Sequence, residues 1–163
     1  MARQMILALC VLLAVATSVS AVEPTKSAAA QVEAVMNQVA KAYETKDMAT
    51  ITRITAHDPD MVCIGTDAAE RWVGWEQLRS SWERQFAALE KVKLTVRDRV
   101  IKVSRAGDAA WVSELWDIDV VSGGVASNIK NIRATAVLEK RQGHWLLVQQ
   151  HVSIGVAGQA VKY

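Results

Sequence analysis

Glu114 stands in the run "AAWVSELWDIDVV" (109–121) as a carboxylate with Val112, Trp116 and Ile118 at even spacing around it. Alternate residues of a strand share a face, so Glu114 is expected on the apolar, inward face of that strand. Burial disfavours the charged form of a carboxylate, which is how enzymes prepare a general acid or base. The competing reading is structural: a buried carboxylate paired with an arginine or a backbone amide. Tyr43, the only tyrosine besides Tyr163 near the end of the chain, falls on an apolar helical stripe. It is a candidate to position a substrate, or else a core residue with its hydroxyl at the edge. Gln150 is the other inward polar group. Trp75, Trp82 and Trp116 together would line an aromatic pocket for a flat or apolar ligand, although each alone is equally at home in a packed core.

A second row of polar groups lies in "HWLLVQQHVS" (144–153). Strand alternation puts Trp145, Leu147, Gln149, His151 and Ser153 on one face and Leu146, Val148, Gln150 and Val152 on the other. The preceding strand divides into Arg133, Thr135, Val137 and Glu139 against Ala134, Ala136 and Leu138. Because the face packed on helices is the more apolar, the even-numbered residues are expected inward. Arg133, Thr135, Gln149, His151 and Ser153 then form an outward row, read as a dimer seam ahead of an alternative site or a solvated sheet face with a stacked Trp145. Asp117 and Asp119 fall on the outward parity as well. The acids Asp58, Asp60, Asp67 and Glu70 lack the spacing of an EF-hand loop. No histidine pair has helical zinc spacing, and neither a Cys-x-x-Cys nor a nucleophile elbow is present, so the sequence calls for no metal and no cofactor.

These side chains need elements to hold them. From Ser27 to Glu44 the larger apolar residues Val32, Val35, Met36, Val39 and Tyr43 keep one helical face, with a cap near Thr25 or Ser27. Asp47 caps a short second helix, which "HDPD" (57–60) ends, because proline disfavours helix before it. Short strands at 61–65 and 70–74 pair across a turn around Asp67. Trp75, Leu78, Trp82, Phe86 and Leu89 mark a third helix. Runs 92–103, 109–121, 128–140 and 144–154, joined by "RAGD", "SGG" and "RQG", read as an antiparallel meander. Helices first and a curved sheet last predict an α+β domain.

The chain opens "MARQMILALCVLLAVATSVSAVEPT", where Arg3 precedes an uncharged run from Met5 to Ala16 followed by small residues. This reads as a secretory signal peptide (1–21) cleaved after Ala21, too short in apolar length to span a bilayer. Residues 22–163 then form one domain with no membrane association, exported to a periplasm or beyond. Subtracting Arg3 from the 19 Lys+Arg leaves 18 against 17 Asp+Glu, a near-neutral balance that gives nucleic-acid binding no electrostatic support. Cys63 is the one cysteine of this portion and is read as a buried apolar residue.

The order of elements, with "DPDMVCIGTDAAERWVGWEQL" (58–78) and "RATAVLEKRQGHWLLVQQHVS" (133–153), resembles the SnoaL-like branch of the nuclear transport factor 2-like superfamily. Its most specific parts are "IGTD", "WVGWEQL" and the final G-x-W-x-x-V-x-x-H-x-S strand. The resemblance implies a cone: a strongly bent antiparallel sheet closed by three helices, a pocket at the open end, and a homodimer through the sheet. It leaves function open, since the superfamily includes ketosteroid isomerases, polyketide cyclases, epoxide hydrolases, transport adaptors and kinase association domains. A ketosteroid-isomerase-like site needs an aspartate base, and no aspartate has the inward parity, so Glu114 would have to serve. Three readings follow: a binder of a small, mostly apolar molecule; an isomerase, hydratase or cyclase using Glu114 with Tyr43 or Gln150; and a structural dimerisation module.

Overall fold

The computed structural model describes residues 27–159 and 161, so segment 1–21, read from the sequence as a signal peptide, lies outside the described residues. Three helices, α1 (Ala28–Thr45), α2 (Met48–Ile54) and α3 (Trp75–Ala88), pack on a sheet of β1 (Val62–Ile64), β2 (Arg71–Val73), β3 (Leu89–Val103), β4 (Ala109–Ser122), β5 (Val125–Arg141) and β6 (His144–Ser153). This is the expected α+β arrangement.

Local chemistry sets the helix ends. The Ser27 hydroxyl accepts from the Ala30 amide at 3.2 Å, and Asp47 accepts from the Thr50 amide at 3.0 Å, each satisfying a free N–H of a first turn. Lys46, in the left-handed region, closes α1 by returning its N–H to Ala42 and Tyr43. Gly74 starts α3 with its own N–H on the Met61 carbonyl, while the Val73 amide donates to Gln77.

Strands β3 to β6 form the antiparallel meander, and the sheet order is β2-β1-β6-β5-β4-β3. The parallel pairing of β1 with β6 was not legible beforehand. It places Cys63 opposite Gln150, with Trp72 opposite Cys63 on the other side.

Four register shifts bend the sheet, one at the start of β3 between Leu89 and Lys91 and three farther in. Asp98 and Arg99 of β3 face one residue of β4, Lys130 and Asn131 of β5 face one residue of β4, and Val148 is an extra residue of β6. Each extra residue also reverses strand parity beyond it. The expected outward placement of Trp145 and Leu147 is therefore corrected: both are buried in the core with Met36 and Leu138, on the inward face. Past Val148 the phase flips, and Gln150 and Val152 take the inward positions. The outward row is as expected for Arg133, Thr135, Gln149, His151 and Ser153, with Thr135 opposite His151 and Arg133 opposite Ser153. The bulge in β3 likewise turns Arg99 toward Glu114.

The narrow end of the cone is tied by Arg141, which donates to both oxygens of Asp58 at 2.7 and 2.6 Å and also pairs with Glu139. These bonds hold the Asp58 carboxyl below the usual carboxylate range, against a smaller opposing effect of desolvation. A depressed folded pKa contributes stability above the unfolded value of about 4 and loses it as pH falls through the folded value. Arg141→Gln is therefore expected to destabilise the protein at neutral pH, with the difference from wild type shrinking below about pH 4. Urea unfolding at several pH values measures this, and a pH-independent difference would contradict it.

Candidate functional site

Between α1, α3 and the wide half of the sheet lies an open cavity of about 260 Å³. One wall comes from helices: Tyr43 of α1 meets Trp82 edge-on with ring centroids 5.4 Å apart, and Phe86 packs on both. The opposite wall is the inward face of β4 and β5, with Trp116, Ile118 and Ile132. The third wall is the row made by the parallel pairing: Trp72, Cys63 and Gln150, side by side on β2, β1 and β6.

Of the residues singled out from the sequence, Tyr43, Trp82, Trp116 and Gln150 all line this cavity. Trp75 does not. It stacks on His57 at 4.3 Å at the start of α3, one turn before Leu78, which does reach the cavity wall. Glu114 has the inward parity expected of it and is 3% exposed, yet it is not on the cavity wall. Arg99 Nε donates to one of its oxygens and Trp116 Nε1 to the other, both at 2.5 Å, while Arg99 also donates to Asn37 of α1. The structural alternative for Glu114, a carboxylate paired with arginine, is the arrangement observed.

Sequence reasoning missed Trp72 and Glu70. In the sequence Glu70 reads as one of the loop acids, but it reaches the cavity from the β1–β2 connection, where its Oε2 accepts from the Thr66 hydroxyl and the Asp67 amide. Gly65 makes room for it. A Cβ at position 65 would stand 2.2 Å from Glu70 Oε2 and 2.8 Å from the Trp72 ring. The signal available in the sequence was this glycine in "IGTD", followed by an acid and a tryptophan.

The electrostatics of the cavity are simple. Burial, with the nearby Glu70 charge, raises the Tyr43 hydroxyl above its ordinary pKa, so it stays a protonated donor. Burial pushes the Cys63 thiol up to about 11, which leaves it a neutral apolar wall and not a nucleophile. Gln150 is 6% exposed, and its Nε2 has no hydrogen-bond partner. Among the described residues no group of three or more His, Cys, Asp or Glu is placed to hold a metal ion.

A bent sheet closed by three helices around such a cavity is the cone of the nuclear transport factor 2-like class. The chain belongs to the SnoaL-like domain family, whose model matches residues 32–157. A nuclear transport factor 2-like superfamily protein from Salmonella enterica superposes with TM-score 0.73 at 18% identity, over 83% of this chain and 97% of that one. A candidate dehydratase of the same class from Streptomyces avermitilis gives 0.71 at 19% identity, over 78% and 97%. A candidate calcium/calmodulin-dependent kinase II association domain from Xanthomonas campestris gives 0.66 at 24% identity, over 78% and 87%. Among curated proteins no sequence matches the chain.

Proposed function

We propose that this protein is an exported SnoaL-like domain that holds a small, mostly apolar molecule in its cone. The observation that carries the reading is the cavity: about 260 Å³, walled by Trp72, Trp82 and Trp116, with Gln150 among them. A concave, largely apolar site with few polar groups is the usual form of a small-molecule site. Export rests on the reading of residues 1–21. Dimerisation through the outer sheet face is part of the same proposal, supported by the polar row around His151 and by Trp111, 52% exposed on that face.

A second reading, an acid/base enzyme, has one observation in its favour, and it is not Glu114. Glu70 and Tyr43 share the cavity wall, a carboxylate and a protonated hydroxyl facing one space. The neighbours described as a candidate dehydratase and a candidate kinase association domain share the fold alone, and they point to different functions.

Native mass spectrometry of the protein purified from its own host tests the proposal, using gentle and then harsher desolvation. The expected result is a dimer that releases a defined small molecule. A dimer without ligand, unchanged after metabolite extract is added, would count against both cavity readings and leave the sheet-mediated assembly role.

A further inference from the structure

The polar side chains on the cavity wall have largely committed their donors to the protein. Thr66 gives its hydroxyl proton to Glu70 at 3.3 Å, and Gln85 Nε2 donates to Ser81 Oγ at 3.0 Å. Gln150 Nε2 has essentially no accessible surface, which leaves the oxygen as the accessible atom of that amide. Glu70 adds a carboxylate, half-buried, whose Oε2 accepts from two neutral groups, the Thr66 hydroxyl and the Asp67 amide. No lysine, arginine or histidine lines the cavity to offset its charge. The wall therefore offers acceptors and one negative charge, and a partly desolvated carboxylate gains from a cation brought beside it. Only the Tyr43 hydroxyl departs from this pattern, and it can accept as well as donate.

The aromatic groups favour the same sign of charge. A Cβ built on Gly65 would stand 2.2 Å from Glu70 Oε2 and 2.8 Å from the Trp72 ring, so carboxylate and indole are immediate neighbours. Tyr43 and Trp82 meet edge-on at 5.4 Å on the helical wall, and Trp116 lies on the sheet wall opposite. Ring faces are negative, and among the aromatic side chains tryptophan attracts a cation most strongly.

Resting on the cavity reading, we infer that the molecule held there is a protonated amine on a flat, apolar body, with its N–H groups on Glu70 and its body among the indoles. An ammonium group has donors and no acceptor, which is the complement of this wall. A ligand carboxylate or phosphate would set like charge against Glu70 in a poorly solvated space. A neutral donor would make the hydrogen bond but forgo the charge and the attraction of the rings.

Three probes of one shape separate these contributions: 2-naphthylmethylamine, protonated at neutral pH; 2-naphthylmethanol, a neutral donor; and 2-naphthoate. Binding to each is measured by equilibrium dialysis. The wild-type protein is expected to bind the amine about tenfold more tightly than the alcohol, with naphthoate the weakest. Glu70→Gln keeps an oxygen for Thr66 and Asp67 but removes the charge. It is expected to bring the amine down to the alcohol, leave the alcohol unchanged and strengthen naphthoate.

Equal binding of amine and alcohol by the wild-type protein overturns the inference without recourse to any variant. So does a preference for the amine that survives in Glu70→Gln. In either case binding of the alcohol keeps the cavity reading intact. Failure of all three probes to bind removes the cavity reading itself and this inference with it.

Discussion

Replacing Arg99 with methionine is expected to lower the free energy of unfolding by about 3 kcal/mol, since breaking a buried ion pair leaves an uncompensated charge. The Glu114 side chain is 2% exposed and that of Arg99 12%, so water does little to replace the lost partner. Trp116 Nε1 would still donate to one carboxylate oxygen, while the other, now paired with Arg99 Nε, would be bare. The loss reaches further than one pair, because Arg99 also holds Asn37 and so ties α1 to β3. The double change Arg99→Met with Glu114→Leu is expected to recover most of the stability, as buried pairs exchanged for apolar residues often do. Guanidinium unfolding of the three variants gives the coupling. A single-variant loss below about 1 kcal/mol would mean the pair is solvated in solution. Ligand binding in the double variant should persist, because Glu114 is off the cavity wall, and its loss would return Glu114 to the site.

Gly74→Ala is the second large effect, also about 3 kcal/mol. Gly74 has φ 80° and ψ 157°, a region open essentially to glycine alone. An added Cβ would stand 2.8 Å from the Pro59 carbonyl oxygen, a backbone atom that cannot swing away. The neighbouring contacts are the joint itself: Gly74 donates to Met61 and Trp75 to Asp58, fixing where α3 begins. Gly107 serves as the control. It has φ 78° with no atom within 4 Å of a Cβ, so Gly107→Ala is expected to cost only the conformational part, about 1 kcal/mol. Equal losses in the two variants, measured by thermal or chemical unfolding, would show that the Pro59 contact carries nothing.

Much of the fold could be read from periodicity. The stripe Val32, Val35, Met36, Val39 specified α1, and Trp75, Leu78, Trp82, Phe86 specified α3, because burial demands one face and a helix repeats it every three to four residues. The meander was legible from long β-branched runs with short turns. Alternation also placed Glu114, Trp116 and Gln150 inward. It failed for Trp145 and Leu147 because the extra residue Val148 is indistinguishable, in composition, from any other strand valine. The site was half legible for a related reason. Tyr43 and Trp82 follow from helical faces, but Trp72 and Cys63 join Gln150 only through a parallel pairing between strands far apart in the chain. Local pattern carries no record of that. Trp75 shares its helical face with Leu78 and Trp82, yet the cavity ends at Leu78, and periodicity cannot say where along an element a cavity ends.

The bulge at Val148 also has a bearing on how this chain should be compared with its relatives. Residues of β6 before it and after it use opposite parities to face the same interior, so correspondence between two such strands must be counted outward from the extra residue. A one-residue gap placed on the wrong side of Val148 would equate Gln150, on the cavity wall, with an outward neighbour such as Gln149 or His151. At identities near 18%, as with the Salmonella protein, apolar residues on both sides would disguise the error. Substitutions in this strand are therefore judged site by site, whereas a change of length by a single residue exchanges what the cavity wall carries for what the outer face presents.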